Sequence, residues 1–171
     1  MLLGATVCLW FLFLCLPGWC AGAGKSAATF SAAAERIGGL RLGLPAGDVP
    51  AIAGCTPDKG KERYEGATGE FVQVWKMPAC GLRFKMSGPR QGGGKTVADV
   101  TVSAPSGLAT SRGIRIGSTE AEVLAAYGRH RDKEGATKPG RTFVAGSIYD
   151  GLIFDFKDGR VARIFLGAAA E

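Results

Sequence analysis

Residues 113–128, GIRIGSTEAEVLAAYG, repeat residues 39–54, GLRLGLPAGDVPAIAG, at a constant offset of 74 positions and without a gap. Gly39, Arg41, Gly43, Val49, Ala51 and Gly54 recur as Gly113, Arg115, Gly117, Val123, Ala125 and Gly128. Leu40 and Leu42 answer Ile114 and Ile116, and Asp48 answers Glu122. Three glycines and alternating aliphatics held in one register predict that the chain builds one supersecondary unit twice. The units expected are residues 24–103 and 104–171.

The second copy shows what the unit opens with. Ile114 and Ile116 alternate with polar neighbours, as a short extended segment does. Thr119-x-x-Glu122 has the form of a capping box, in which hydroxyl and carboxylate each satisfy an orphan backbone N–H. Val123, Ala126 and Tyr127 fall on one helical face, and Gly128 is expected to supply a left-handed stop. In the first copy Pro50 lacks an N–H donor, so the spacing predicts a shorter helix with Asp48 as cap and Pro50 in its first turn.

Strand-like material follows each helix. EFVQVWKM (70–77), GLRFKM (81–86) and TVADVTV (96–102) follow the first; RTFVA (141–145), GLIFDF (151–156) and RVARIFL (160–166) follow the second. Asp158-Gly159 predicts a tight hairpin turn, whose counterpart in the first copy is the longer loop SGPRQGGGK, residues 87–95. The expected fold class is α+β: two tandem repeats, each a short helix packed on its own small antiparallel sheet.

Alternation places Leu82, Phe84 and Met86, and likewise Leu152, Phe154 and Phe156, under the helices. The opposite face then carries Arg83 and Lys85 in one copy, with Ile153, Asp155, Arg163 and Phe165 in the other. Trp75 and Gln73 share a face and are assigned to this outer side. A basic, partly aromatic sheet surface suits a binding partner, and the candidate contact residues are Phe71, Trp75, Arg83, Lys85, Arg163 and Phe165. The alternative is an ordinary solvated sheet with Trp75 in the core.

Residues 1–23 read as a secretory signal: an apolar run from Leu2 to Leu16, Pro17-Gly18, and Ala21-x-Ala23 as a cleavage site before Gly24. The rival is an uncleaved anchor, the only membrane contact expected, but Pro17-Gly18 limits the run to about 15 residues against the ~20 a bilayer needs. Cys20 follows Trp19, whereas lipid attachment wants a small residue there. Cleavage leaves two of five cysteines, Cys55 and Cys80. Bridged, they would close a loop of about 25 residues and stabilise the fold by roughly 3 kcal/mol; the alternative is two buried thiols. By the repeat, Arg129 and Asp150 stand where Cys55 and Cys80 do, so either an ion pair replaces the disulfide in the second copy or the two are separately solvated surface charges. The net charge of +6 survives cleavage because residues 1–23 hold no charged side chain.

Catalytic patterns are sparse. GAGKS (22–26) and GGGKT (92–96) end as a phosphate-binding loop should, but its first glycine is replaced by Trp19 and Pro89. The second loop also joins two strands, with no helix N-terminus to hold a phosphate. His130 is the single histidine, set between arginines and read as a surface residue; a nucleophile triad would need it, and GxSxG is absent. Two cysteines cannot build a cysteine zinc site, and no basic block argues for nucleic acid. No cofactor, metal or catalytic residue is expected.

The pattern G-[IL]-R-[IL]-G, a capped helix, a closing glycine, GLxF and a final V-x-x-[IV]-x-[LV] resembles two related groups over most of residues 36–167. One is the small outer-membrane assembly lipoproteins of the BamE-like (SmpA/OmlA) type. The other is the secreted β-lactamase inhibitory proteins, built from two helix-plus-sheet repeats with a disulfide in each. The resemblance implies architecture and a tendency to bind proteins. It does not carry over lactamase inhibition, because the turn Lys76-Met77-Pro78-Ala79-Cys80 has no acid where those inhibitors present one. The expected function is a periplasmic or secreted, non-enzymatic module that binds another envelope or secreted protein. The alternative is a module adsorbing to anionic envelope lipid or glycan, which rising salt would release.

Overall fold

The computed structural model of the protein describes residues 29–169, so the signal segment read at residues 1–23 lies outside the described residues. Among the described residues there are eight strands: β1 (Asp58–Lys59), β2 (Arg63–Glu65), β3 (Glu70–Met77), β4 (Leu82–Gly88), β5 (Thr96–Ser103), β6 (Thr142–Gly146), β7 (Gly151–Lys157) and β8 (Arg160–Gly167). Two α-helices accompany them, α1 (Val49–Ala53) and α2 (Glu120–Tyr127). The six expected strands form within one or two residues of their sequence bounds. The short, polar β1 and β2 carry no period for sequence to reveal.

All strands join one antiparallel sheet in the order β1-β3-β4-β5-β8-β7-β6, with β2 also on β3. The expectation of a separate small sheet under each helix is therefore corrected. The meanders β3-β4-β5 and β6-β7-β8 meet at their last strands, where Val100 opposes Leu166 and Val102 opposes Ile164. The reason is physical: each last strand would otherwise leave a row of backbone N–H and C=O groups unpaired beside an apolar face. Pairing satisfies both edges and fuses two half-cores.

One face of the sheet carries that core. Cross-strand partners point the same way, so Trp75 with Phe84, Met77 with Leu82, Phe84 with Val100 and Phe154 with Ile164 line one side. All are buried, together with Val49 of α1, Val123 and Tyr127 of α2, and Ile37, Leu40 and Ile114 from the segments before the helices. Burial of each such side chain contributes about 1.5–3 kcal/mol.

The V-x-x-[IV] spacing now has a structural cause. Lys85 pairs with Asp99 and Met86 with Val97, leaving Ala98 as an extra residue. Asp155 pairs with Arg163 and Phe156 with Val161, leaving Ala162 likewise. Each bulge breaks the period of two, so Val97 and Val100, like Val161 and Ile164, all stay buried.

The segments before the helices hook onto those same strands. Gly43 N–H donates to Val97 O at 2.8 Å, and Val97 N–H to Leu44 O at 2.9 Å. Gly117 N–H donates to Val161 O at 2.8 Å, and Val161 N–H to Ser118 O at 2.8 Å. Both glycines have positive φ, 71° and 88°, which a side chain would resist.

The helices behave unequally. At α2 the capping box forms: Thr119 Oγ1 accepts the Glu122 N–H and Glu122 Oε2 accepts the Thr119 N–H. Asp48 before α1 makes no side-chain cap bond, against expectation, because its own backbone is already helical (φ −87°, ψ −21°) and not extended. Gly54 closes α1 in the left-handed region at φ 68°, as its type predicts. Gly128 does not do so: at φ −53° it carries the chain into a 3₁₀ turn over Gly128–His130, so the expected stop there is corrected.

Cys55 and Cys80 are disulfide-bonded across 25 residues, tying the end of α1 to the start of β4. Of the two readings of Arg129 and Asp150, the ion pair is not formed among the described residues. Asp150 Oδ1 instead accepts the Ala32 N–H at 3.2 Å, which draws it toward the N-terminal segment. No described helix is long and apolar enough to cross a membrane.

Candidate functional site

The face of the sheet opposite the core is built by the alternate residues of the same strands. One row across it runs Lys76, Arg83, Thr101, Phe165, Ile153, Val144 in direct cross-strand register. A second row runs Ser103, Arg163, Asp155, Thr142. Neither described α-helix packs here: their buried residues join the core on the other side. At the β6 edge the connection from α2 reaches over, with Thr137 Oγ1 accepting the Val144 N–H at 3.0 Å, and Val144 is buried. Between the edges Lys76, Arg83 and Arg163 are exposed while Thr101 and Phe165 are half-buried.

Four of the six candidate residues lie on this face: Arg83, Lys85, Arg163 and Phe165. Trp75 does not, and its outer placement is corrected. It is 4% exposed within the core. An indole needs a partner for its N–H when buried, and Gln73, two residues back on the same side, supplies it. Trp75 Nε1–H donates to Gln73 Oε1 at 2.8 Å, Gln73 Nε2 donates to Gly60 O at 2.8 Å, and the Lys59 ammonium lies 4.3 Å from the ring centroid. Gln73 therefore marks a satisfied tryptophan and not a solvated face. Phe71 has the parity of Trp75 and stacks obliquely on Tyr64, with centroids 5.3 Å apart.

The charges on the outer face differ in what they already hold. Arg163 Nε donates to Asp155 Oδ2 at 2.5 Å, and Asp155 Oδ1 accepts from Thr142 Oγ1 at 3.0 Å. Lys85 Nζ lies 2.9 Å from Glu65 Oε2, and that contact holds the Glu65 carboxyl below its usual range. Lys76 and Arg83, by contrast, oppose each other in β3 and β4 and form no ion pair among the described residues. Like charges directly opposite are destabilising. They line a depression of about 370 Å³ with Asp58, Thr101 and Ser103.

Sequence reasoning missed Lys76 and Thr101. With Trp75 and Met77 inward, alternation would have turned Lys76 outward beside Arg83. Chemically the arrangement offers up to eight N–H donors from two cations that share one nearby carboxylate, Asp58, across from Lys76 in β1. Among the described residues no group of three or more metal-ligating side chains converges.

Fold and face together define an α+β protein whose single antiparallel sheet carries both described α-helices on one side and, on the other, exposes Lys76, Arg83 and Arg163 while Ile153 and Val144 toward the β6 edge are buried. No protein-family model, curated protein or solved structure matches the chain.

Proposed function

We propose that this chain is an exported, non-enzymatic binding module that docks an acidic segment of another envelope or secreted protein on the sheet face opposite the helices. The observation that carries the reading is the Lys76–Arg83 pair: two cations side by side in register near Thr101 and Phe165, with Asp58 across from Lys76 but no ion pair formed to either cation among the described residues. Such a pair repels across the strands, is only partly offset by Asp58, and gains further when an anionic partner arrives. Arg163 and Phe165 extend the contact, and Lys85 lies behind it on Glu65. The Cys55–Cys80 disulfide fits an oxidising compartment, either extracellular or periplasmic.

Two tandem repeats are part of the same proposal. Matching hydrogen bonds at Gly43–Val97 and Gly117–Val161, and matching bulges at Ala98 and Ala162, support a duplicated unit whose halves later fused their sheets. The resemblance to BamE-like lipoproteins and β-lactamase inhibitory proteins is consistent with protein binding and stands as part of this reading.

The test is recovery of a partner from envelope extract, followed by crosslink mapping. The wild type is expected to crosslink a partner through β3, β4 or β8. Lys76→Glu with Arg83→Glu is expected to abolish the crosslink, and Phe165→Ala to weaken it several-fold. An unchanged crosslink in the double variant defeats the proposal. Binding to anionic vesicles in place of protein, lost as salt rises, would favour adsorption to anionic envelope material.

A further inference from the structure

The connection from α2 to β6, which runs along the β6 edge, borders a second basic feature that shares no lining residue with the Lys76–Arg83 depression. A cavity of about 490 Å³ opens at the C-terminal end of α2, with Phe30, Arg112, His130, Arg129, Arg131 and Lys133 in its lining. Its two acids are unequal to that charge. Asp132 is buried and accepts the Ala136 N–H at 2.7 Å, holding its own loop, while Glu134 is exposed. None of the four cations forms an ion pair among the described residues.

Arg112 is fixed without being neutralised. Its Nη1 donates to Ala126 O at 2.7 Å, its Nη2 lies 2.9 Å from His130 Nε2, and its guanidinium sits 4.9 Å from the Tyr127 ring centroid. A guanidinium has no lone pair to offer, so His130 Nε2 accepts and the imidazole is neutral, with its proton on Nδ1. Burial, then the charges of Arg112 and Arg129, push His130 below its usual range, against a smaller opposing pull from the Glu35 carboxylate. Every group that positions Arg112 is uncharged, and part of its five-donor fork remains unused. Phe30 closes the apolar side, 5.8 Å from the His130 ring.

The location adds a second argument, which rests on the duplication proposed above. At the offset of 74, Arg129 corresponds to Cys55. In the first half that position is shut by the disulfide; in the second the same place is an open cavity lined by cations.

We infer that this cavity is a binding site for a small organic anion, a carboxylate or phosphate carried on an apolar body, with Arg112 receiving the oxyanion and Phe30 packing on the body. The volume has room for on the order of 15 water-sized groups, which suits a compact ligand.

Titration calorimetry of the full mature protein with inorganic phosphate, benzoate and phenyl phosphate tests it. One-site binding is expected, with an apolar-bodied anion at least ten-fold tighter than inorganic phosphate; benzoate against phenyl phosphate then tells carboxylate from phosphate. Arg112→Gln is expected to lose at least ten-fold. Arg112 also anchors the end of α2, so Arg129→Gln and Lys133→Gln, both exposed, serve as folded variants with losses of a few-fold each. The His130 ring resonances should shift on saturation. Lys76→Glu with Arg83→Glu is expected to leave this binding unchanged, which separates it from docking on the sheet. Absence of binding, equal affinity for all three probes, or affinity indifferent to Arg129→Gln and Lys133→Gln overturns the inference.

Discussion

Glu35 is 5% exposed, and its carboxylate is held by donors from three places in the chain. Oε1 accepts the Arg36 N–H at 2.9 Å and the Ser111 N–H at 3.1 Å, and Oε2 accepts the Tyr127 hydroxyl at 3.0 Å. A buried carboxylate survives only with such bonds. Tyr127→Phe leaves one oxygen without its donor, so a loss of about 1–3 kcal/mol in denaturant unfolding is expected. Burial, foremost, pushes the Tyr127 phenol up to about 12 from an ordinary 10.0. The folded state thus keeps the proton that the unfolded state releases. This contribution is complete below pH 10 and is lost as pH rises through 12. Wild-type stability should therefore fall more steeply across that interval than Tyr127→Phe does; parallel profiles would remove the role of the phenol. Helical spacing put Tyr127 on a buried face, but it gave no sign of Glu35. The hydroxyl it meets is 92 residues away, and long-range contacts leave no local period.

At the scale of elements, the two helix starts make a controlled comparison. Thr119 has an extended backbone (φ −77°, ψ 159°) and closes a reciprocal box with Glu122. Asp48 is a good capping residue by type but sits in helical geometry and caps nothing. Thr119→Ala is expected to cost about 1 kcal/mol, and Asp48→Ala only a few tenths. Urea midpoints of the two variants at equal slope check this, and equal losses would contradict the geometry. The Thr-x-x-Glu spacing was legible because both partners lie within one turn. The failure of Asp48 was not, because the hook of Gly43 and Leu44 onto β5 sets its backbone, and that strand lies some 50 residues on. Strand spans and the Asp158-Gly159 turn were carried by local pattern, whereas the bulges at Ala98 and Ala162 came to light only in the strand register. Trp75 went astray because polarity at Gln73 looked like a solvated face, when a side-chain amide there satisfies the indole.

For the whole molecule the decisive feature is the β5–β8 seam, which joins the meanders β3-β4-β5 and β6-β7-β8 into one sheet. Residues 24–103 on their own would expose the free edge of β5 and lose Ile164 and Leu166 beside Val102 and Val100. They would also lose the linker that Ile37 and Gly38 pair with, through the Ile37–Thr110 bridge and the bond from Gly38 N–H to Ala109 O at 2.7 Å. Residues 104–171 would lose the same edge and the Glu35 carboxylate that holds Tyr127. A unit of this size has a marginal core even when intact. The first unit keeps a disulfide contributing roughly 3 kcal/mol, so it should retain more residual structure than the second. Neither is expected to unfold cooperatively alone, whereas residues 24–171 together, in which Trp75 is the single tryptophan, should melt in one transition seen alike by circular dichroism and Trp75 fluorescence. Mixing the two pieces should restore that transition, because the seam is complementary in register and the cores fill each other. A sharp, near-native melt from residues 24–103 by themselves would make the units independent domains and reduce the seam to a contact between them.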